Sequence, residues 1–207
     1  METVPQALCC ALFCNTKPAC MTLPSQSLHL ALHDYHDQWQ GEVGIAAQFL
    51  AFLDSHADVF RRSHAAGHFT GSAWLVSADG VRVLLMHHRK LGRWLQPGGH
   101  ADGDADLARV ALREAGEETG VAGLRVEGGI FDLDRHRIPA RGGEPEHWHY
   151  DVRYVVRATA GESFAANGES LGLAWKSVRE LADDPQADAS LVRMARKWLA
   201  REPQARS

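Results

Sequence analysis

Cysteine is confined to one end of this chain. All four, Cys9, Cys10, Cys14 and Cys20, fall in the first twenty residues, and none occurs in the body that follows. A disulfide framework is thereby excluded as the support of the fold, which has to rest on an apolar core. The cysteine spacing suits a zinc site poorly, and residues 1–27 read instead as a disordered leader in which Met21 is an alternative start. The apolar stretch Ala7 to Phe13 has no basic segment ahead of it, so it does not read as a secretory signal. No apolar run approaches the ~20 residues that span a bilayer. An excess of basic charge is also missing: 22 Lys and Arg stand against 26 Asp and Glu, a net charge of -4. That balance gives no electrostatic footprint for a nucleic-acid backbone or an anionic membrane. The expectation is a cytoplasmic protein with neither as a partner.

What is present is globular. A chain of 207 residues, 45% hydrophobic and 23% charged, can form one full core with an appendage. Residues 28–66 read as a helical extension, with Leu28 to Trp39 and Glu42 to Asp54 as its two helices. In the second, Ala46, Phe49, Leu50 and Leu53 recur at helical spacing. From Phe69 the period changes. Two apolar, β-branched runs between Phe69 and His88 are joined by Asp79-Gly80, a dipeptide that suits a tight hairpin turn. A glycine-rich loop, LGRWLQPGGHADGD, then leads into a helix from about Asp104 to Glu118. Strands are expected at about Leu124 to Val126, Ile130 to His136 and His147 to Arg157. A short helix near Val178 and an amphipathic one carrying Leu191, Val192, Ala195, Trp198 and Leu199 close the body, residues 67–203. Strands and helices without regular alternation indicate an α+β domain with a mixed sheet.

The helix ending in LREAGEETGV carries the sharpest signal. Leu107, Val110 and Ala111 define its apolar stripe. Glu114 and Glu118 continue that stripe, and Glu117 lies to one side of it, where a solvated acidic row has no reason to be. Glu114 and Glu118 repel at i,i+4, the acids oppose the helix dipole, and Gly116 costs about 1 kcal/mol relative to Ala. A divalent cation reverses the main penalty, since three carboxylates at i, i+3 and i+4 converge as the hard oxygen donors that Mg²⁺ accepts. Arg113 can orient one of them from behind.

The segment GGHADGDADLARVALREAGEETGV resembles the Nudix box. Gly99 opens it, and Arg113, Glu114, Ala115, Glu117, Glu118, Gly120 and Val121 fill its second half in register. The resemblance reaches from about Phe69 to Leu199. It implies an α/β/α sandwich around a mixed sheet, with an N-terminal helical extension added here. It further implies a hydrolase that cleaves a diphosphate linked to another group, with Mg²⁺ or Mn²⁺ on Glu114, Glu117 and Glu118. The chain departs from the box at Ala105, where the pattern has a glutamate that partners the arginine. Asp104 and Asp106 flank that position, with Asp106 on the wheel side of Arg113 and Glu117, so the expectation is that Asp104 or Asp106 substitutes or that the enzyme is weakened.

The chemistry follows from the substrate's charge. Phosphoanhydride oxygens repel a nucleophile, and cations that neutralise them and acidify a bound water remove the obstacle. Glu117 and Glu118 are the candidate bases, and the resemblance implies that the base can also come from a loop outside the helix, which leaves Glu144, Glu146 and Glu169 as alternatives. Pro97, Gly98 and Gly99 let backbone approach phosphates closely, and Arg89, Lys90 and Arg93 precede them as candidate phosphate contacts. A second polar group lies on two strands. Asp132, Asp134 and His136 share one face, with Phe131 and Leu133 opposite, while His147, His149 and Asp151 share another. A hairpin about residues 137–146 puts both rows on one side, as a substrate pocket of His136, His147, His149 and Asp151 or as an imidazole metal site. His87, His88 and His100 flank the glycine loop. The expected ligand is a small nucleotide-derived diphosphate, bound by a monomer or homodimer, and the alternative is a catalytically weak nucleotide-sensing module on the same fold.

Overall fold

The computed structural model describes residues 23–201, apart from 167 and 169. The cysteines, most of the expected leader and Glu169 lie outside the described residues. Helix α1 (Leu23–Gln38) takes in the last residues of the expected leader, and a 3₁₀ turn separates it from α2 (Val43–Ser55). Strands β1 (Gly67–Val76), β2 (Arg82–His88), β3 (Arg93–Leu95) and β4 (Gly98–His100) precede α3 (Leu107–Thr119). Then come β5 (Leu124–Ile138), β6 (His147–Ala158), β7 (Ser170–Ser177), α4 (Val178–Asp183) and α5 (Ala189–Leu199).

The seven strands form one mixed sheet in the order β3-β2-β1-β6-β5, with β4 also on β1 and β7 on β2. β1 runs parallel to β6 and antiparallel to β2 and β4. All ten residues of β1 are buried, as a central strand requires. One face packs Phe69, Val152 and Val156 against Phe49, Val110 and Ala111 of α2 and α3. The other packs Trp74, Val83 and Val155 against Leu191 and Met194 of α5. This is the expected α/β/α sandwich.

Three strands differ from the sequence expectation. β5 is one long bent strand, with register shifts between Glu127 and Asp132 where Gly128 takes φ +71°. The bulge turns Phe131 onto the side of Trp74 and Val155, so Phe131 does not lie opposite Asp132 as simple alternation predicts. β4 pairs through Gly98 and Gly99, a sequence that reads as loop. β7 lies in SLGLAWKS, whose two-residue period is broken by Gly172.

α3 is held where it matters by small residues. A Cβ on Gly71 would stand 2.8 Å from the Leu107 carbonyl oxygen and 3.0 Å from Val110, so only glycine lets α3 sit this close to β1. The Asp106 carboxylate caps the helix by accepting from the Arg109 amide at 3.1 Å. Gly120, with φ +65°, ends it in the left-handed region.

Candidate functional site

β4 and α3 build the first constellation. Glu118, 6% exposed, accepts a hydrogen bond from the Gly98 amide at 2.9 Å. The Glu114 carboxyl lies directly over Gly99, where a Cβ would meet its carbon at 2.5 Å. Arg113 donates to Glu114 Oε1 at 2.8 Å and to the His100 carbonyl at 3.3 Å, fastening the helix end to β4. Glu117 is exposed at the rim. Pro97 belongs to the same frame: its carbonyl accepts from Ala73 at 2.9 Å. The structure thus brings Arg113, Glu114, Glu118, Pro97, Gly98 and Gly99 together at one edge of the sheet, with Glu117 beside them.

Asp106 takes a different place from the one expected. It caps α3 and pairs with Arg109 at 3.3 Å, while Asp104 holds Arg109 through contacts of 2.6 and 2.9 Å. Ala105 faces a cleft of about 390 Å³ lined by Leu28, Ala31 and Tyr154. Arg113 finds its partners in Glu114 and β4. Arg89 bonds the carbonyls of Gly168 and Ser170 at 3.1 and 3.3 Å, and Lys90 is exposed on the β2–β3 turn. Glu146 pairs with Arg137 at 2.9 Å on the β5–β6 loop, where Glu144 is exposed.

The second constellation lies on the sheet's other face. In register, Asp132 pairs with Arg153, Asp134 with Asp151 and His136 with His149, so the two polar rows do share a side. Asp151 is enclosed by partners. It is 2% exposed and accepts from Thr70, Ser72 and Arg153 at 2.8, 2.8 and 2.7 Å. Arg153, also 2% exposed, spans Asp151, Asp132 and Asp134. Asp132 in turn holds Arg193 at 2.7 Å and Lys197 at 3.2 Å. The residues of α5 in this network carry no local sequence signal, because their partners lie sixty residues away.

The histidines separate from these ions. His68 of β1, beside His149 in register, forms a cluster with His100, His147 and His149 in which neighbouring ring centres are 4.8–5.3 Å apart. His136 joins at 5.4 Å from His149. Burial, reinforced by the neighbouring rings, lowers the pKa of His68 to about 4 and that of His149 to about 2. Burial lowers His100 as well, with Arg62 adding to the effect. These imidazoles are neutral near pH 7. His87 packs on Trp94 and His88 accepts from the amides of Lys90 and Leu91, so both lie elsewhere. His68 could not be singled out in the sequence, because its partners lie on β4 and β6. Only strand pairing reveals its company.

Comparison with known proteins bears on the whole. A family model described as the NUDIX domain matches residues 68–197. The putative 8-oxo-dGTP diphosphatase 3 of Mycobacterium tuberculosis is 33% identical over 114 residues, covering 52% of this chain and 50% of that protein. The chain therefore spans about half the length of the curated relatives it matches. Among solved structures, a NUDIX-family hydrolase from Clostridium perfringens superposes with a TM-score of 0.51 at 23% identity, over 63% of this chain and 95% of that one. A C. elegans Ap4A hydrolase gives a TM-score of 0.51 at 17% identity, over 64% and 95%. At these identities the two structures speak for a shared fold.

Proposed function

The chain belongs to the NUDIX family, and from that premise we propose that it hydrolyses a phosphoanhydride in a nucleoside diphosphate linked to another group, with a divalent cation, Mg²⁺ or Mn²⁺, on Glu114, Glu117 and Glu118. The observation that carries the reading is the seating of two carboxylates on a bare glycine strand. Glu114 fills the space over Gly99 that any Cβ would take, and Glu118 sits on the Gly98 amide. Carboxylate oxygens at one sheet edge fit a hard cation by the chemistry of the donor set. When bound, such a cation neutralises phosphate oxygens and lowers the pKa of a coordinated water.

The chain's own groups do the rest. Gly98 and Gly99 present backbone without side chains, leaving room for a phosphate to approach. Arg113 holds the Glu114 carboxylate in orientation. Glu117, exposed at the rim, and Glu118, buried behind it, are the acceptors for the proton of the attacking water. The oxidised nucleoside triphosphate named for the mycobacterial relative is the first substrate to test.

The test is a panel of 8-oxo-dGTP, ADP-ribose, nucleoside triphosphates and a dinucleoside polyphosphate with Mg²⁺ or Mn²⁺, read by phosphate and nucleotide product analysis. Turnover that falls at least about a hundredfold in Glu118→Gln is expected. No turnover of any compound, with nucleotide binding unchanged in Glu118→Gln, would instead identify a sensing module.

A further inference from the structure

The histidine cluster is unused by the proposed reaction. β4 pairs with β1 so that His100 stands opposite Thr70, on the face that carries His68, while Gly99 stands opposite Gly71, on the face of α3. The imidazoles and the glutamates therefore lie on opposite sides of one three-residue strand. His68 is 3% exposed, and neither of its ring nitrogens has a hydrogen-bond partner among the described residues. His149 Nε2 is likewise buried and unpartnered. A buried imidazole with both nitrogens unsatisfied costs free energy unless something lies within reach of its lone pair. One potential ligand nitrogen each from His68, His100 and His149 lie within 4.8 Å of one another.

We propose that His68, His100 and His149 form a binding site for a borderline-soft divalent transition ion, zinc being the best match, separate from the carboxylates of the glutamate helix. Three imidazole nitrogens are the donor set that suits zinc and disfavours Mg²⁺. Tetrahedral zinc with Zn–N near 2.0–2.1 Å sets the nitrogens about 3.4 Å apart, so from separations within 4.8 Å the rings close by at most about 1.4 Å on binding. Strand register supplies the framework: His68 and His149 are cross-strand neighbours, and β4 brings His100 against β1. His147 lies beside the three, its ring centre 5.0 Å from that of His68 and 5.3 Å from that of His149. Its Nδ1 lies 2.9 Å from the Pro145 carbonyl, an arrangement in which Nδ1–H donates and Nε2 keeps its lone pair. Arg62, whose charge acts on His68 and His100, is neutralised by its two-point pair with Asp102 at 2.7 and 2.8 Å. Because the site holds imidazoles rather than carboxylates, its occupancy and that of the glutamate site are independently measurable.

The full chain, stripped with a chelator, reloaded with zinc in the presence of excess Mg²⁺ and dialysed, is measured by elemental analysis and zinc-edge X-ray absorption. The expected result is one tightly held zinc per chain, with imidazole scattering from three or four nitrogens at about 2.0–2.1 Å. Binding should be unchanged in Glu117→Gln and Glu118→Gln, and weaker by at least about tenfold in His149→Asn, the cost that even an outer partner of a ligand exacts. Thermal unfolding of the stripped variants confirms that they fold. Should His149→Asn not fold, the wild-type absorption spectrum decides alone. No retained zinc, an oxygen-only shell, or loss of zinc in the glutamate variants would each overturn the site. Hydrolysis of nucleotides is not needed for any arm, so failure here leaves the proposed reaction standing, and the reverse also holds.

Discussion

Gly99 is constrained by the carboxylate seated on it. Its Cβ would lie 2.5–2.8 Å from three atoms of the Glu114 carboxyl, so the added methyl has to expel the carboxylate from its seat. Gly99→Ala is expected to keep the fold and to lower kcat/KM by about a hundredfold, the scale of an ångström displacement in a positioned group. Gly129→Ala, with nothing within 4 Å of the new carbon, should leave it unchanged. Steady-state kinetics with Mg²⁺ checks both. Ala105 is a related case. The sequence marks it as a defect in the box, yet it opens on a cleft that Leu28 and Ala31 of α1 also line, and Arg113 is satisfied by Glu114 and the His100 carbonyl.

Among elements, the joint between β5, β6 and α5 is where charge is concentrated. Asp132 is fully buried beneath Arg153, Arg193 and Lys197, and two of those cations are themselves buried. Asp132→Ala strands them, and a loss of roughly 3–5 kcal/mol in urea unfolding is expected. Arg137→Ala, at an exposed pair with Glu146, should cost less than about 1 kcal/mol. A third variant tests pH. The side-chain hydrogen bonds from Arg157 hold Glu127 below its ordinary value of 4.5. The unfolded chain therefore takes up a proton first as pH falls, so the pair stabilises fully above about pH 4.5 and its contribution fades as pH drops through the folded value. The stability gap between wild type and Glu127→Gln should accordingly be present at about pH 7 and shrink at about pH 3. These joints also mark how far the sequence could be read. The helices α2 to α5 and the β1–β2 and β5–β6 hairpins announce themselves through period and turn residues. β4 and β7 do not, because glycines interrupt their alternation and their pairing partners are distant in the chain. The glutamates were legible because a helix brings i, i+3 and i+4 together locally. The histidines are scattered over β1, β4 and β6, and only the sheet assembles them.

For the whole molecule, the question is what the two N-terminal helices do, since the family model begins at residue 68, after both. Their apolar faces belong to the main core. Phe52 stacks on Tyr150 of β6 with ring centres 3.7 Å apart and planes within 3°, and Phe49 meets Phe69 and Tyr150 at 6.1 and 5.3 Å. The helices are also tied to the far end of the chain. Lys197 of α5 is 6% exposed and reaches Glu42 and the Tyr35 hydroxyl, both at 2.8 Å, while holding Asp132 at 3.2 Å. Removing α1 and α2 would expose Phe69 and Tyr150 to water and leave Lys197 without Tyr35 and Glu42. We therefore expect a chain of residues 67–203 to lose cooperative urea unfolding and to bind a hydrophobic dye, the signs of a sheet missing one covering layer. Phe52→Ala in the full chain should fold but lose about 3–5 kcal/mol, the cost of deleting a buried aromatic ring. A truncated chain that unfolds cooperatively at the full-length midpoint would make the helices an appendage. Loss in both variants would make them a wall of the domain, against which Ala105 and the start of the glutamate helix are set.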